Sequence, residues 1–310
     1  MGYRGTAYLN LGLAMVIVGS SVVFGKIITK EFPVFLASGI RFAIASVCIL
    51  PLLVKIENHP FRIGKKDMIR LIGMAFCGQF VFTALVLLGL RYTSAIEAGI
   101  ITSTSPAMMT LVAFVLFREH PGAWRTVAAL LAVGGILSVN GLATGDSSLE
   151  TGHMAGNLMM VGAVFGEAFF LLMRKQISPA VSNMALTAYL CFAGFLMFLP
   201  FAAYQAVGFD FGNVSAGAWW SMIYFGAVFT VLSYLLWFRG VSRISGATAG
   251  IFTAFMPVSG VALSCIFLKE TFTVAHGVGI VLVLCAIVLG ALAPAGKTVE
   301  SASPEKEVSV

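Results

Sequence analysis

Ten stretches of about twenty residues, each nearly free of charge and each bounded by charged residues, Gly, Pro or Asn, take up almost the whole of this chain. They fall near 7–28, 34–54, 68–89, 95–117 and 122–142, then near 154–174, 182–206, 217–238, 246–268 and 273–293. A helix rises about 1.5 Å per residue, so roughly 20 residues cross the ~30 Å hydrocarbon layer of a bilayer. Ten such spans and their loops consume the 310 residues and leave no length for a soluble domain. Only 10% of the residues are charged, against roughly a quarter in soluble domains, and mean hydropathy is +0.98. The expected fold class is all-α integral membrane.

The formal charge of +6 does not point to nucleic acid, because the basic residues are scattered between apolar runs and form no patch. Their distribution instead orients the chain. With a cytoplasmic N-terminus, fourteen of the nineteen Lys and Arg fall on the inside, among them Lys55, Arg62, Lys65, Lys66, Arg118, Arg174, Arg239 and Lys297. Lys26, Lys30, Arg91 and Lys269 fall outside, and Arg41 lies within a span. Both termini are expected to be cytoplasmic, in a cell inner (plasma) membrane. The first apolar run is long and is followed by Lys26 with no small-residue cleavage site, so it reads as a retained helix and not a signal. The Pro-, Ser-, Glu- and Lys-rich tail, 294–310, is expected to be disordered.

Displacing the chain on itself by 151 residues aligns 89–119 with 240–270 without a gap. Gly89/Gly240, Ser94/Ser245, Ala98/Ala249, Gly99/Gly250, Ile100/Ile251, Thr102/Thr253, Pro106/Pro257 and Glu119/Glu270 are identical, where chance would supply roughly two pairs. The chain therefore reads as two related halves, 7–142 and 154–293. Five helices per half is an odd number, so the second half enters the membrane from the opposite side. Inverted repeats of this kind exchange conformations between halves and thereby alternate access to a shared cavity. The fourth and ninth spans each carry a small-xxx-small pair (Ala95/Gly99, Gly246/Gly250) and a central proline. Pro106 and Pro257 free a carbonyl that must be satisfied by protein or water, so both are placed as helix breaks beside the pathway. The alternative is a simple kink in a packed helix.

These residues resemble the EamA family of the drug/metabolite transporter superfamily. The resemblance is carried by GSSVVFGKII in the first span, the Arg-Phe pair of GIRFAIAS in the second, and Pro-x12-Glu ending both the fourth and ninth. A Trp that often precedes the opening Gly is replaced by Val18. The likeness implies a ten-helix bundle of two inverted five-helix repeats, a substrate site between them, and most often export of small metabolites or drugs. Relatives with these signatures carry amino acids, nucleotide-like compounds, vitamins and organic cations.

Polar residues inside spans are expensive and are the candidates for chemistry. Glu167 lies about 13 residues into its span, near mid-membrane, and its short side chain reaches neither surface. It is read as a counter-charge to a cationic solute or a proton site, the structural alternative being a pair with a neighbouring helix. Ser94-Ala95-Ile96-Glu97 has the form of a capping box, so Glu97 divides between capping and solute or proton contact. Arg41 sits about 10 Å inside its span, a depth from which it could pair with Glu97 or extend to the surface. Gln79 needs partners in lipid and is placed near the pathway. Tyr234 and Trp237, at i and i+3, share a helix face and suit either an aromatic wall or ordinary packing. Glu119 and Glu270, beside Arg118 and Lys269, read as interface anchors paired with neighbouring opposite charges.

The four histidines show no HExxH spacing and the five cysteines no CxxC, so no metal site is expected. GSSVVFGKI lacks the Ser or Thr of a phosphate loop, and no nucleotide or other cofactor is expected. The reading is a non-enzymatic secondary-active exporter of a small polar or amphipathic solute: an amino acid, a derived metabolite or metallophore, or a drug-like cation. Its partners are that solute and the bilayer, with proton exchange or the solute gradient as the drive. An importer or exchanger of a metabolite or vitamin, and an intramembrane enzyme using Glu167, remain alternatives.

Overall fold

Apolar runs of this length leave the backbone no solvent to bond with, so each closes its own hydrogen bonds as a helix. The computed structural model describes residues 3–56, 64–117, 122–140, 151–174, 177–178, 181–241, 252–253 and 255–292, and every regular element among them is helical. They are α1 (Tyr3–Glu31), α2 (Val34–Ile56), α3 (Lys65–Tyr92), α4 (Ala95–Thr102), α5 (Ser105–Phe117) and α6 (Ala123–Asn140). After these come α7 (Thr151–Arg174), α8 (Asn183–Ala206), a continuous α9, α10 (Phe255–Leu268) and α11 (Val274–Leu292). Helix α9 starts as Ala216–Ile223, passes through a π-helical segment Tyr224–Leu232 and ends as Ser233–Val241. Among the described residues five helices are long and apolar enough to cross a membrane, and three shorter apolar ones accompany them. The tail 294–310, the beginning of the span near 246, and Glu119 lie outside the described residues.

The span expected at 95–117 is broken. Pro106 offers no N–H to the Thr102 carbonyl four residues earlier, and the chain turns at Ser103 and Thr104 between α4 and α5. Hydroxyls bond the carbonyls around the break, the freed Thr102 carbonyl among them. Ser105 Oγ donates to Thr102 O at 2.7 Å, Thr104 Oγ1 to Ile101 O at 2.7 Å, and Ser103 Oγ to Gly99 O at 2.6 Å. Such repair allows a proline break to persist inside a bundle.

Helices from 3–140 and from 151–292 interleave. α2 packs most extensively on α8, α6 on α11, α3 on α7, and α1 on α9 and α10. Glycines make these approaches close: a Cβ on Gly39 would lie 2.6 Å from Ala202 Cβ, and one on Gly19 would lie 2.5 Å from the Met256 carbonyl. Phe42, Phe80 and Phe198 stack between α2, α3 and α8, with centroids 5.7 Å apart for Phe42 and Phe198 and 4.7 Å for Phe80 and Phe198. The outward faces are apolar as well. Val47, Val54, Ile69, Leu158 and Trp220 are each at least 70% exposed, which suits lipid and not water.

Candidate functional site

Two polar clusters interrupt the apolar interior. The first is built where α3 and α9 widen into π turns, Phe76–Val81 and Tyr224–Leu232, a geometry that re-aims side chains and recurs at functional sites. Arg41, only 4% exposed, reaches from α2 to this level. Its Nε donates to Thr230 Oγ1 at 2.9 Å and its Nη1 to Thr83 Oγ1 at 3.4 Å. Thr230 can accept because its own hydrogen goes to the Phe225 carbonyl, 2.8 Å away and five residues back in the π turn. The guanidinium carbon also lies 4.8, 4.7 and 4.8 Å from the ring centres of Phe42, Phe225 and Phe229. No carboxylate stands within ion-pair distance of Arg41 among the described residues.

Gln79, 3% exposed, sits on the π turn of α3 and hydrogen-bonds the Tyr234 side chain of α9. Tyr234 in turn lies within electrostatic reach of both Arg41 and Glu167. Glu167 is placed by close packing of α7 on the π turn of α3: a Cβ on Gly166 would lie 3.1 Å from the Cys77 carbonyl, and one on Gly78 would strike the Phe170 ring. Its Oε2 is hydrogen-bonded with Ser105 Oγ at the start of α5. Arg41, Gln79, Glu167 and Tyr234 thus converge on one region, to which Ser105, Thr83 and Thr230 are added. Trp237 is half-buried one turn beyond Tyr234, and the aromatic surround of Arg41 is supplied by three phenylalanines instead.

Ser105 has a single hydrogen, and the Thr102 carbonyl stands in its path at 2.7 Å. A hydrogen bond between Ser105 and the carboxyl then requires the second hydrogen to come from Glu167. The geometry therefore accommodates Glu167 as a protonated acid that donates to Ser105, with Ser105 relaying to Thr102.

The second cluster lies where α1 finishes and α4 and α7 begin. Glu97, 9% exposed, accepts from Thr93 Oγ1 at 2.8 Å and from Asn157 Nδ2 at 3.0 Å. His153 Nδ1 is 3.3 Å from its Oε2 and His276 Nε2 is 3.9 Å from its Oε1. The expected capping box is half formed: Ser94 Oγ accepts from Glu97 N at 3.0 Å, but the Glu97 carboxylate turns away to this cluster. Glu270 takes its place, accepting from Ala95 N and Ile96 N at 2.9 Å each. Glu270 is thus no anchor paired with its neighbour Lys269; an open helix N-terminus, with unbonded N–H groups and positive dipole, attracts a carboxylate more strongly than an exposed lysine does. The expected Arg41–Glu97 pair does not form either. Equal depth in the membrane does not place two helices' faces together, and each residue bonds within its own cluster. Lys26 Nζ donates to the Thr93 carbonyl, and a cavity of about 570 Å³ opens between Lys26, Glu97, His153, Glu270 and His276. Among the described residues no group of three metal-type ligands occurs.

Thr93, Ser105, His153, Asn157, Thr230, Glu270 and His276 were not singled out for these roles by the sequence reading. Asn157 carried the same signal as Gln79, an amide within an apolar span. Ser105 could have been noticed as the position where the repeat, otherwise faithful around its prolines, puts Met256.

Comparison with known proteins agrees with this architecture. A solved crystal structure of a protein superimposes with a TM-score of 0.64 over 93% of this chain and 99% of its own, at 16% identity, which establishes the shared fold. The uncharacterized transporter YetK of Bacillus subtilis is 41% identical over 278 residues, 90% of this chain and 84% of its own length. The uncharacterized inner membrane transporter YicL of Salmonella typhimurium is 24% identical over 296 residues, 93% of this chain and 96% of its own. The model of the EamA-like transporter family matches twice, over residues 5–141 and 154–291. This protein, with its apolar helices, is a membrane transporter belonging to the EamA-like transporter family.

Proposed function

We propose that the chain is a secondary-active exporter of small amphipathic solutes that carry both a carboxylate and an ammonium group, amino acids and their derivatives being the simplest case. The single observation behind this is that Arg41 and Glu167 both lie within electrostatic reach of Tyr234, which Gln79 hydrogen-bonds. Arg41 comes from residues 3–140 and Glu167 from 151–292, so a solute bridging them touches both parts of the molecule. A guanidinium so deeply buried without a carboxylate is costly, and a solute carboxylate would supply the missing partner. The solute ammonium would displace the proton that Glu167 shares with Ser105, which couples solute movement to proton movement. Phe42, Phe225 and Phe229 suit an apolar side chain.

The transport cycle in this reading exchanges the conformations of two inverted halves, 7–142 and 154–293, about the breaks at Pro106 and Pro257. In this reading ten spans leave both termini in the cytoplasm of a cell enclosed by an inner membrane, which the fourteen basic residues assigned to that side support. The clusters at Glu97 and Glu270 then face the exterior.

Counterflow in proteoliposomes tests the proposal with three matched solutes: an α-amino acid with a large apolar side chain, its decarboxylated amine and its deaminated acid. The amino acid should exchange at least about tenfold faster than either truncated form, since each lost charge partner costs 1.4 kcal/mol or more. Glu167→Gln should remove proton coupling. Equal exchange of all three, or an unaltered proton dependence in Glu167→Gln, would discard this assignment of the site.

A further inference from the structure

The first turn of α4 is held almost entirely from the other part of the chain. Asn157 and His153 of α7, Glu270 after α10 and His276 of α11 all bear on Thr93, Ala95, Ile96 or Glu97. Two further caps at the same end also cross between 3–140 and 151–292. Glu31 at the end of α1 accepts from Ser215 N at 2.7 Å before α9, and Gln205 at the end of α8 accepts from Leu36 N at 2.9 Å in α2. Helix N-termini are open donors, and here they are closed by side chains of the opposite half. This end of the bundle is therefore shut by polar bonds between the parts that alternating access must separate.

The titratable and charged groups facing Glu97 are Lys26 of α1, Tyr92 at the end of α3, His153 of α7, Lys269 and Glu270 after α10, and His276 of α11. Lys26 is committed to the Thr93 carbonyl and Glu270 to two backbone N–H groups. The histidines are placed differently. His276 Nδ1 accepts from Thr273 N at 3.2 Å, which leaves the single proton of a neutral ring on Nε2, toward Glu97. His153 keeps 41% of its side chain exposed while its Nδ1 stands 3.3 Å from Glu97. Imidazole is the side chain suited to changing charge between about pH 5 and 8. A proton arriving from water at His153 converts its contact with Glu97 into a charge-assisted hydrogen bond joining α7 to α4. No other bond need break.

We propose that Glu97, His153 and His276 form a proton-binding site open to the exterior, and that its occupation holds α4 against α7 and α11, keeping this end of the transporter closed. Acid outside then favours the state open to the cytoplasm, which in an exporter is the return step after solute release. Proton uptake here follows solute release and is distinct from solute exchange at Glu167. The exterior placement rests on the orientation proposed above; the proton dependence of the closure does not rest on any particular solute.

Electron spin labels report the closure directly. In full-length protein with its five cysteines changed to Ala, labels at Tyr92→Cys, at the end of α3, and Val274→Cys, at the start of α11, sit on exposed positions, 51% and 85%. In lipid nanodiscs without solute, the ratio of long to short label distances should fall about fivefold from pH 8.0 to pH 5.5, the low end of couplings between sites. His153→Gln, a change at a half-exposed side chain, should reduce the shift, and His153→Gln with His276→Gln should abolish it. A ratio that does not change with pH, that rises in acid, or that shifts as before in both His153→Gln and the double variant overturns the proposal. If the double variant does not fold, His153→Gln alone decides. Because no solute is present, failure here is separable from failure of the counterflow experiment: transport of the zwitterion with a pH-independent distance ratio would remove this site alone.

Discussion

Two proline-bearing stretches in register, 102–106 and 253–257, differ in the side chains around the proline. Between α4 and α5 the sequence Thr102-Ser103-Thr104-Ser105-Pro106 surrounds the break with hydroxyls, each satisfying a carbonyl, and Ser105 also meets Glu167. Before α10 the corresponding Thr253-Ala254-Phe255-Met256-Pro257 offers a hydroxyl only at Thr253. There the packing is close. A Cβ on Gly19 of α1 would lie 2.1 Å from Ser259 Oγ and 2.5 Å from the Met256 carbonyl, whereas one on Gly99 beside the first break would meet only Val22 Cγ2 at 3.8 Å. One proline thus stands among hydroxyls and a carboxyl, and the other beside closely packed backbone.

Exchanging the side chains should break this comparison most severely. Ser105→Met, which copies the second half into the first, leaves the Glu167 acid without an acceptor and the Thr102 carbonyl without a donor. At about 1–3 kcal/mol for a buried group left unpaired, solute flux in proteoliposomes should fall at least about tenfold. The reverse copy, Met256→Ser, should change flux by less than about threefold, because no carboxyl among the described residues is bonded at this position. Equal losses in both would mean that the two stretches are not specialised.

Packing should respond in the opposite sense. Gly19→Ala forces a methyl against α10 and should destabilise the protein by about 1–3 kcal/mol, read as a lower midpoint of thermal unfolding in detergent. Gly99→Ala has room for its methyl and should leave that midpoint unchanged or slightly raised. The smallest effect is expected from Thr104→Val, which removes one local hydroxyl-to-carbonyl bond worth about 1 kcal/mol beside the first break. A loss from Gly99→Ala as large as that from Gly19→Ala would show that both prolines stand beside closely packed backbone.

Apolar run length made the helices legible, because a membrane span leaves the backbone only one way to satisfy itself. Pro106 marked a break for a similarly local reason, the missing N–H. Glu167 stood out since no carboxylate is placed at mid-span without consequence. The meeting of Glu167 with Ser105, and of Arg41 with Thr230, could not be read in this way. It depends on how α7 and α9 are rotated about their axes, and π turns at Phe76–Val81 and Tyr224–Leu232 shift that rotation without any sequence signal as plain as proline. The role of Glu270 is not legible in the chain, because Ser94 and Glu97 supply a complete capping box for α4 and nothing near them shows that a residue about 175 positions away takes the donors at Ala95 and Ile96.

By itself the amino-acid order determined that this is a helical membrane protein of the EamA type, and which polar residues had to be explained. Those conclusions follow from free energies of transfer to lipid, which act on each residue where it stands. Tertiary structure alone decided that Arg41 and Glu97 belong to separate clusters, that Arg41 and Glu167 approach one tyrosine, and that two distant histidines share one carboxylate. Pairing of that kind is set by which helix faces touch, and in a bundle whose helices are apolar on nearly every side, hydrophobicity cannot choose among faces. Close approach at glycines such as Gly19 and Gly166 makes that choice, and it becomes visible only when the helices are packed.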